Sequence, residues 1–213
     1  MNARLDVIGL SKRYARRLVV DRIDLQASSG QVIGIVGANG SGKSTLVKMI
    51  AGLLRPDAGT ITLSMADGIV SAQLMHEHCG LVAPYLQIYD EFTPVEHLHL
   101  HARLHGRTLD ASRVEEVLSL VGLDAATTRI IRSFSSGMRQ RMSIALAVSL
   151  MPPLLLLDEP GVTLDEAGRQ TLSRCIDIAR ANGSIVILAT NDDRERSLCD
   201  RVVVMTDDRS VVS

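Results

Sequence analysis

The chain alternates short apolar runs with longer segments in which apolar residues recur at helical spacing. The short runs predict strands at residues 4–8, 18–25, 31–37, 59–65, 154–158 and 184–190, and a final hairpin over residues 200–213. The longer segments predict helices at residues 43–54, 94–121 (broken near Gly106), 138–150 and 166–181. Strands that alternate with helices indicate an α/β fold built on a mainly parallel sheet.

The composition agrees with a buried sheet of this kind. Apolar residues make up 46% of the 213 residues, yet Trp is absent and the aromatic residues are only three Tyr and two Phe. Leu, Val, Ile and Ala must therefore fill the core, as is typical of parallel strands covered by helices. The length suits one large α/β domain or two small ones.

Charge and cysteine content narrow the class of protein. The formal net charge is −1 and the arginines are scattered, so we expect no nucleic-acid partner. Cys79, Cys175 and Cys199 lack the spacing of a zinc ribbon or of a disulfide framework. The most apolar run, residues 142–157, is too short for a bilayer and contains two prolines, so we expect no membrane-spanning segment.

The segment GANGSGKST, residues 37–45, has the residues and spacing of a phosphate-binding loop between a strand and a helix. Its glycines allow a tight turn that aims backbone N–H groups inward, and the helix N-terminus adds a partial positive charge. Lys43 is expected to reach the β and γ phosphates of a nucleoside triphosphate, and Ser44 to place its hydroxyl on Mg²⁺. The other residues expected to contact the nucleotide are Gly37, Asn39, Gly40, Ser41, Gly42 and Thr45.

Two acidic residues, Asp158 and Glu159, follow the apolar run LLLL. The carboxyl ends of strands in a parallel sheet are where α/β proteins bind ligands, so this pair is expected beside the phosphate loop. Asp158 is predicted to hold Mg²⁺ through water, because this ion keeps part of its hydration shell. Glu159 is predicted to polarise the water that attacks the γ-phosphate.

The segment FSSGMRQR, residues 134–141, precedes the acidic pair, and GVTLD, residues 161–165, follows it. With these motifs in this order the chain resembles, over essentially its whole length, the ATPase subunits of ABC transporters. FSSGM is similar to that family's signature Leu-Ser-Gly-Gly-Gln, with Ser135 and Gly137 retained. The N–H groups of a helix that begins with Ser and Gly suit a phosphate, which in the family belongs to the nucleotide of a second cassette.

The resemblance implies a P-loop NTPase fold with a mainly parallel core sheet, an N-terminal antiparallel β-subdomain and a helical signature subdomain. It implies that residues 1–213 form a single ATP-binding cassette, with the helical subdomain at about residues 88–150 inserted in the core. It also implies ATP and Mg²⁺ as cofactors, and a homodimer or heterodimer of cassettes with ATP between them.

Three further residues receive roles from the family. Tyr14 lies where the family has an aromatic side chain that stacks on adenine, and Asp165 resembles the acid that reaches across the cassette dimer. We assign to Gln87 the role of the Q-loop glutamine, which is both catalytic and metal-binding, while the alternative register places Pro84 there.

The last family motif differs in this chain. After the strand predicted at residues 184–190 the family has a histidine, whereas this chain has Asn191. An asparagine amide can donate a hydrogen bond to a γ-phosphate, but it can neither carry positive charge nor take a proton. Because Glu159 is retained, we predict an ATP hydrolase, which is slow because Asn191 replaces the histidine.

Histidines at four-residue spacing, His97, His101 and His105, would share one face of a helix, a pattern that also suits a Zn²⁺ or haem site. Three helical turns span more than one metal ion can reach, and no Cys or carboxylate completes a compact ligand set. We therefore favour a solvent-facing or interface helix over a metal site.

The resemblance predicts the ATPase subunit of an ABC transporter, which drives solute transport by separate transmembrane permease subunits through ATP-dependent dimerisation of cassettes. Such a subunit is cytoplasmic and peripheral on the inner face of the cell membrane, where its membrane partner holds it. Two alternatives stay open. One is a hydrolysis-impaired cassette that senses nucleotide, which Asn191 favours, and the other is a soluble ABC protein that takes no part in transport.

Overall fold

The structure is a computed structural model of the chain, and it describes residues 2–205 and 211–212. Within these residues the strands are β1 (Arg4–Tyr14), β2 (Arg17–Ser28), β3 (Val32–Val36), β4 (Ala58–Met65), β5 (Gly68–Val70), β6 (Cys79–Val82), β7 (Leu154–Asp158), β8 (Ile185–Thr190), β9 (Arg201–Val204) and β10 (Val211–Val212). The α-helices are α1 (Lys43–Ile50), α2 (Pro94–Leu104), α3 (Ala111–Leu120), α4 (Ser136–Ser149), α5 (Glu166–Ala181) and α6 (Asp193–Arg196). Short 3₁₀ helices cover Ala72–His78, Asp124–Ala126 and Ile131–Ser133.

The strands form two sheets of different kinds. The first is antiparallel, with the order β2-β1-β4-β5. The second has the order β10-β9-β3-β8-β7-β6, in which neighbouring strands run parallel except β10, which pairs antiparallel with β9. The mainly parallel core sheet and the antiparallel N-terminal sheet that the sequence predicts are therefore confirmed.

The parallel strands are buried on both faces, because their alternate side chains belong to two separate cores. In β7, Leu155 and Leu157 pack with apolar side chains of α3, α4 and α5. Leu154 and Leu156 point the other way, into a core shared with α1 and the antiparallel sheet. Covering both faces explains why these strands read as continuous apolar runs in the sequence.

Helix α1 ends four residues earlier than the periodicity predicts, at Ile50 rather than at residue 54. Gly52 adopts a left-handed φ of 73°, and the N–H groups of Leu53 and Leu54 both return to the carbonyl of Lys48. A glycine in this conformation reverses the chain at a helix end, although apolar residues continue past it.

The long helical segment predicted at residues 94–121 is divided into α2 and α3. Gly106, near the predicted break, has a φ of 64°. Helix α2 begins with a capping box between Thr93 and Glu96, and α3 is capped by Asp110, whose side chain accepts from the N–H of Arg113. Each helix thus has its own start signal.

Helices α2, α3 and α4 all lie in the chain between β6 and β7, which are neighbours in the parallel sheet. The helical insertion predicted at about residues 88–150 falls inside this interval, and its status as a subdomain of one cassette stays a prediction.

The predicted C-terminal hairpin is formed by β9 and β10, while residues 206–210 between them lie outside the described residues. Across residues 2–205, no helix has both the length and the apolarity needed to cross a membrane.

Candidate functional site

Three segments that the sequence singles out begin where neighbouring parallel strands end. The glycine-rich loop follows β3, Asp158 is the last residue of β7, and Asn191 follows β8. Strand β8 lies between the other two, with Val36 beside Thr190 and Asp158 beside Ala189 in the register. The loop, the acidic pair and Asn191 therefore meet at one edge of the sheet, where parallel α/β sheets bind ligands.

The loop at residues 37–42 has a shape that requires glycine at two positions. A Cβ at Gly37 would lie 2.5 Å from the carbonyl oxygen of Met205, and a Cβ at Gly42 would lie 2.6 Å from that of Val19. Gly42 also has a φ of 101°, in the left-handed region that L side chains rarely adopt. The close approach and the left-handed turn together fix the path of the loop into α1.

The beginning of α1 is prepared to receive an anion. Gly42 gives the helix no side-chain cap, so the first N–H groups of α1 have no side-chain acceptor at the N-cap. The hydroxyl of Ser41 is buried and has no hydrogen-bond partner among the described residues. Free donors at a helix N-terminus, where the helix dipole is positive, are the groups that bind phosphate.

Lys43 is buried, with 5% of its side chain exposed, and its ammonium has three partners. Nζ donates to the carbonyl oxygens of Gly37 at 2.8 Å and Ala38 at 3.2 Å. It also lies 3.1 Å from Oε1 of Glu159, which joins the loop to the end of β7. An ammonium has three hydrogens, so Lys43 must exchange one of these partners to bind a phosphate oxygen.

Glu159 has a φ of 51°, a left-handed conformation that is uncommon outside glycine. Its backbone N–H donates to the carbonyl of Ala189 at 2.8 Å, which holds this turn of the chain against β8. Residues kept in unfavourable backbone conformations by their surroundings cluster at functional sites. The strain therefore supports a functional role for the residue that follows Asp158.

Asp158 is fully buried, and neither of its carboxylate oxygens has a hydrogen-bond partner among the described residues. Burial raises its pKa, the nearby Ser44 hydroxyl lowers it, the charge of Glu159 raises it and that of Lys43 lowers it. A buried carboxylate without donors is unfavourable unless a cation approaches it. Mg²⁺ prefers oxygen ligands of this kind, so Asp158 and Ser44 fit the predicted ion.

Asn191 is exposed, and its Nδ2 donates to Oδ1 of Asn39 at 3.0 Å. This hydrogen bond links the residue after β8 to the phosphate loop directly. An asparagine amide has two N–H hydrogens, so one remains for another acceptor. Asn191 thus lies where its amide can reach a group bound in the loop.

Gln87 borders two grooves. The larger groove, of about 970 Å³, is also bordered by Glu159 and by Ser136, near the start of α4. The smaller, of about 200 Å³, is bordered by Gln87, His101 and Leu104. Gln87 and Glu159 therefore share one groove, while the metal-binding role of Gln87 stays a prediction.

Tyr85, which no sequence motif indicates, is near enough to the predicted metal ligand Asp158 for the charge of that residue to act on it. The ammonium of Lys48 is 3.9 Å from the centroid of its ring. Burial, followed by the negative charge of Asp158, raises the pKa of its hydroxyl. Its only sequence signal is an aromatic residue beside Pro84, the residue of the alternative register.

The start of α4 lies against the turn that follows Glu159. The hydroxyl of Ser135 caps α4 by accepting from the N–H of Met138 at 3.2 Å. A Cβ at Gly137 would lie 3.3 Å from the carbonyl oxygen of Thr163, in that turn. The absence of a side chain at Gly137 lets the two backbones approach, and its predicted contact with a second nucleotide stays a prediction.

Asp165 ends the same turn and directly precedes α5. Its Oδ1 accepts from the N–H of Gly168 at 2.8 Å, which makes it the N-cap of the helix. Tyr14, at the end of β1, is exposed, with the Lys12 ammonium 5.9 Å from its ring centroid. A contact of Asp165 across a dimer and stacking of Tyr14 on adenine both stay predictions.

Of the three histidines at four-residue spacing, His97 is buried and His101 and His105 are partly buried, which differs from a solvent-facing helix. His97 packs against the rings of Tyr89 and Phe92, at centroid distances of 5.6 and 6.0 Å. The rings of His101 and His105 are 4.5 Å apart. In the part of the chain that the structure describes, no group of three or more His, Cys, Asp or Glu side chains could hold a metal ion.

Comparisons with known proteins agree with these motifs. The family model for the ABC transporter matches residues 20–162. An uncharacterized ABC transporter ATP-binding protein of Bacillus subtilis, YdbJ, is 36% identical over 203 residues, which are 94% of this chain and 66% of that protein. The daunorubicin/doxorubicin resistance ATP-binding protein DrrA of Streptomyces peucetius is 34% identical over 213 residues, which are 97% of this chain and 64% of that protein. The chain thus spans just under two thirds of the length of these relatives.

Solved structures show the same fold. The ATP-binding subunit of an ABC transporter has a TM-score of 0.83 and 28% identity, over 98% of this chain and 89% of that chain. A dimeric ATP-binding cassette, MJ0796, bound to ADP and Pi, has a TM-score of 0.84 over 98% of both chains. Its 20% identity shows the fold alone. The P-loop NTPase fold predicted from the sequence is therefore confirmed.

Proposed function

The chain belongs to the ABC transporter family, and from this membership we propose that it binds Mg²⁺ and ATP and hydrolyses the ATP. The observation that carries the proposal is the meeting of Lys43, Asp158 and Glu159 at the ends of β3 and β7. The buried Lys43 ammonium lies 3.1 Å from Glu159, and the Asp158 carboxylate has no donor among the described residues. Lys43 is therefore available for phosphate, Asp158 for the metal ion and Glu159 for water.

Each residue has a separate task in the proposed reaction. The N–H groups at the start of α1 and the ammonium of Lys43 bind the β and γ phosphates. Ser44 and Asp158 hold Mg²⁺, which when bound neutralises charge on the phosphate oxygens. Glu159 accepts a hydrogen bond from the attacking water and polarises it, while the free N–H of Asn191 positions the γ-phosphate.

We propose that two cassettes, identical or different, close over ATP and that this closure drives solute transport by separate transmembrane permease subunits. Ser135 and Gly137 of one cassette then face the nucleotide of the other, and Asp165 reaches across the dimer. The smaller groove beside Gln87 suits a membrane partner, since Leu104 at its border is 72% exposed. The chain then lies on the inner face of the cell membrane.

A second candidate function is a cassette that senses ATP without hydrolysing it efficiently. The Asn39–Asn191 hydrogen bond favours it, because the neutral Asn191 already spends one of its two N–H hydrogens within the protein. A histidine at this position could be charged, whereas asparagine cannot. This candidate shares the binding chemistry of the first and differs in turnover.

Calorimetry and an ATPase assay on the purified chain test the proposal. Lys43→Ala should weaken Mg²⁺–ATP binding by about tenfold or more, because the variant loses the charged donor to the phosphates. Glu159→Gln should bind ATP and lose turnover. Arg103→Ala and Glu115→Gln, at exposed positions of α2 and α3, are the matched controls. Unchanged ATP affinity in Lys43→Ala would contradict the proposal, and binding without turnover, even with a membrane partner, would favour the sensor.

A further inference from the structure

Glu195 is a buried acid to which the proposed reaction gives no task. It lies in α6, four residues after Asn191, and only 5% of it is exposed. Its Oε2 is buried and has no hydrogen-bond partner among the described residues. Neighbouring acids in the same short segment, Asp192 and Asp193, are more exposed. A buried polar atom without a partner is costly, so the position of this carboxyl calls for an explanation.

The carboxyl of Glu195 fills the space above Gly161. A Cβ at Gly161 would lie 2.1 Å from Oε1 of Glu195, so the carboxyl oxygen rests against the glycine backbone. Gly161 belongs to the turn of residues 160–164, which joins Glu159 to Asp165 and is closed by a hydrogen bond from Leu164 N–H to the Gly161 carbonyl. The carboxyl and the turn therefore determine each other's position.

The same turn is also held by α4. Nε2 of Gln140 donates to the carbonyl oxygen of Pro160 at 2.6 Å, one residue before Gly161. Near Glu195, Asp192 forms an ion pair of 2.6 Å with Arg169 of α5, which fixes the beginning of α6. The turn is thus held both by a hydrogen bond from α4 and by its contact with the Glu195 carboxyl.

We propose that Glu195 is a positioning residue for ATP hydrolysis, whose carboxyl fixes the turn of residues 160–164 and, through it, the orientation of Glu159 and Asp165. The inference rests on the proposed function, because the orientation of Glu159 matters only if Glu159 polarises the attacking water. Glu195 contacts the turn and not the reacting groups, so it acts on the rate of hydrolysis rather than on ATP binding.

The surroundings of Glu195 raise the pKa of its carboxyl. Burial raises its pKa, the Thr190 hydroxyl lowers it, Asp192 and Glu159 raise it, and Arg169 lowers it. The thiol of Cys199, whose own pKa burial raises to about 11, also faces it and is neutral at pH 7. Because the pKa is raised in the folded protein, the stability that Glu195 contributes is complete at low pH and is lost as pH rises through the raised value. An ionised Glu195 would repel Glu159.

The test compares the purified wild-type chain with Glu195→Gln and Glu195→Ala, with Glu115→Gln as the control for an exposed acid. Glu195→Gln keeps the shape of the side chain without a charge, so it should keep kcat. Glu195→Ala frees the turn and should lower kcat by about tenfold or more, since a small misplacement of a catalytic group is costly. KM for ATP should stay within about twofold in both, because the phosphate loop is untouched.

Gly161→Ala provides an independent variant, because its Cβ displaces the carboxyl and should also lower kcat. In the double variant Gly161→Ala/Glu195→Ala, the fold-loss of kcat should be smaller than the product of the two single losses. The cavity that Glu195→Ala leaves accepts the new methyl group of residue 161. If Glu195→Ala does not fold, Glu195→Asp, which withdraws the carboxyl by one methylene, takes its place with the same expected loss of kcat.

Two results would overturn the inference while leaving the proposed function intact. A folded Glu195→Ala or Glu195→Asp with the kcat of the wild type would show that the carboxyl does not position the turn. A Glu195→Gln variant as slow as Glu195→Ala would show that a charge at this position is required. A wild-type chain that binds Mg²⁺–ATP without hydrolysing it would overturn the proposed function and this inference together, so the two failures are distinct.

Discussion

The ion pair between Lys43 and Glu159 makes the fold itself depend on two residues proposed for catalysis. Lys43 is 5% exposed and Glu159 17% exposed, and their charged atoms are 3.1 Å apart. We predict that Lys43→Met destabilises the nucleotide-free protein, that Glu159→Gln does so less, and that the double variant loses less stability than the sum of the two.

The size of the effect follows from this geometry. Two unit charges at 3.1 Å attract by about 5 kcal/mol at an effective dielectric constant of about 20. Part of this attraction is offset, because burying both charges costs several kcal/mol in lost hydration. Lys43→Met also leaves the carbonyls of Gly37 and Ala38 without a donor, at about 1 kcal/mol each. We therefore expect losses of ~2–4 kcal/mol for Lys43→Met and ~1 kcal/mol for Glu159→Gln, with a coupling of ~1–2 kcal/mol.

Urea unfolding without nucleotide, followed by far-UV circular dichroism, gives the free energy of unfolding of the wild type and the three variants. The matched control is the surface pair Lys12–Asp57, whose charged atoms are 2.8 Å apart while Asp57 is half exposed. Its coupling, measured by the same cycle, should be smaller although its distance is shorter, because water screens it.

One result of this double-variant cycle would contradict the predicted coupling between Lys43 and Glu159. If Lys43→Met and Glu159→Gln add within the error of the measurement, or couple no more than Lys12 and Asp57, burial does not strengthen the pair. The three hydrogen-bonding partners of Lys43 would then be independent of one another, and the loop would keep its position without Glu159.

Three other predictions concern assembly, rate and pH. Light scattering should show that Glu159→Gln is a dimer with ATP and a monomer with ADP, because the variant does not hydrolyse the ATP that it binds. If the variant is a monomer with either nucleotide while ATP is shown to be bound, the partner is a different cassette. Asn191→His should accelerate turnover, because a charged donor at a developing phosphoryl charge is worth ~2–4 kcal/mol, or about thirty- to a thousandfold; an unchanged rate would show that position 191 does not limit the reaction. Burial, and then His105 and His97, lowers the pKa of His101 from 6.5 to about 4. Stability should therefore fall as pH drops from 6.5 towards 4, by at most ~3 kcal/mol, and His101→Gln should flatten the dependence of the urea midpoint on pH; the same slope in the variant would contradict the burial of this ring.

The parts of the site that the sequence could predict are local along the chain. The glycine spacing of residues 37–45 dictates both the turn and the helix that follows it, and the run LLLLD places Asp158 at the end of a buried strand. Contacts between distant residues carry no such signal. Asn39 and Asn191 are 152 positions apart, and only the strand order brings them together.

Some elements escaped prediction for physical reasons. Strand β6 has four residues, CGLV, which are too few to show a period, and only its pairing with β7 makes it a strand. Glu195 reads as one charge in a run of charges, and its burial follows from the packing of α6 against the turn at Gly161. The roles of Tyr14 and Gln87 depend on a bound nucleotide and stay predictions.

The strand order also has a consequence for how the chain acquires its structure during synthesis. Strand β3, which leads into the phosphate loop, is hydrogen-bonded on its two edges to β8 and β9, which lie about 150 and about 170 residues later in the chain. A nascent chain that has emerged only as far as α5 therefore exposes β3 with both edges unpaired, a state prone to aggregation. Pairing over such separations is intrinsically slow. The ribosome makes the phosphate loop early, because the loop lies near the beginning of the chain. The loop can take its final form only after Arg201–Val204 has emerged, because β9 is one of the two strands that pair with β3.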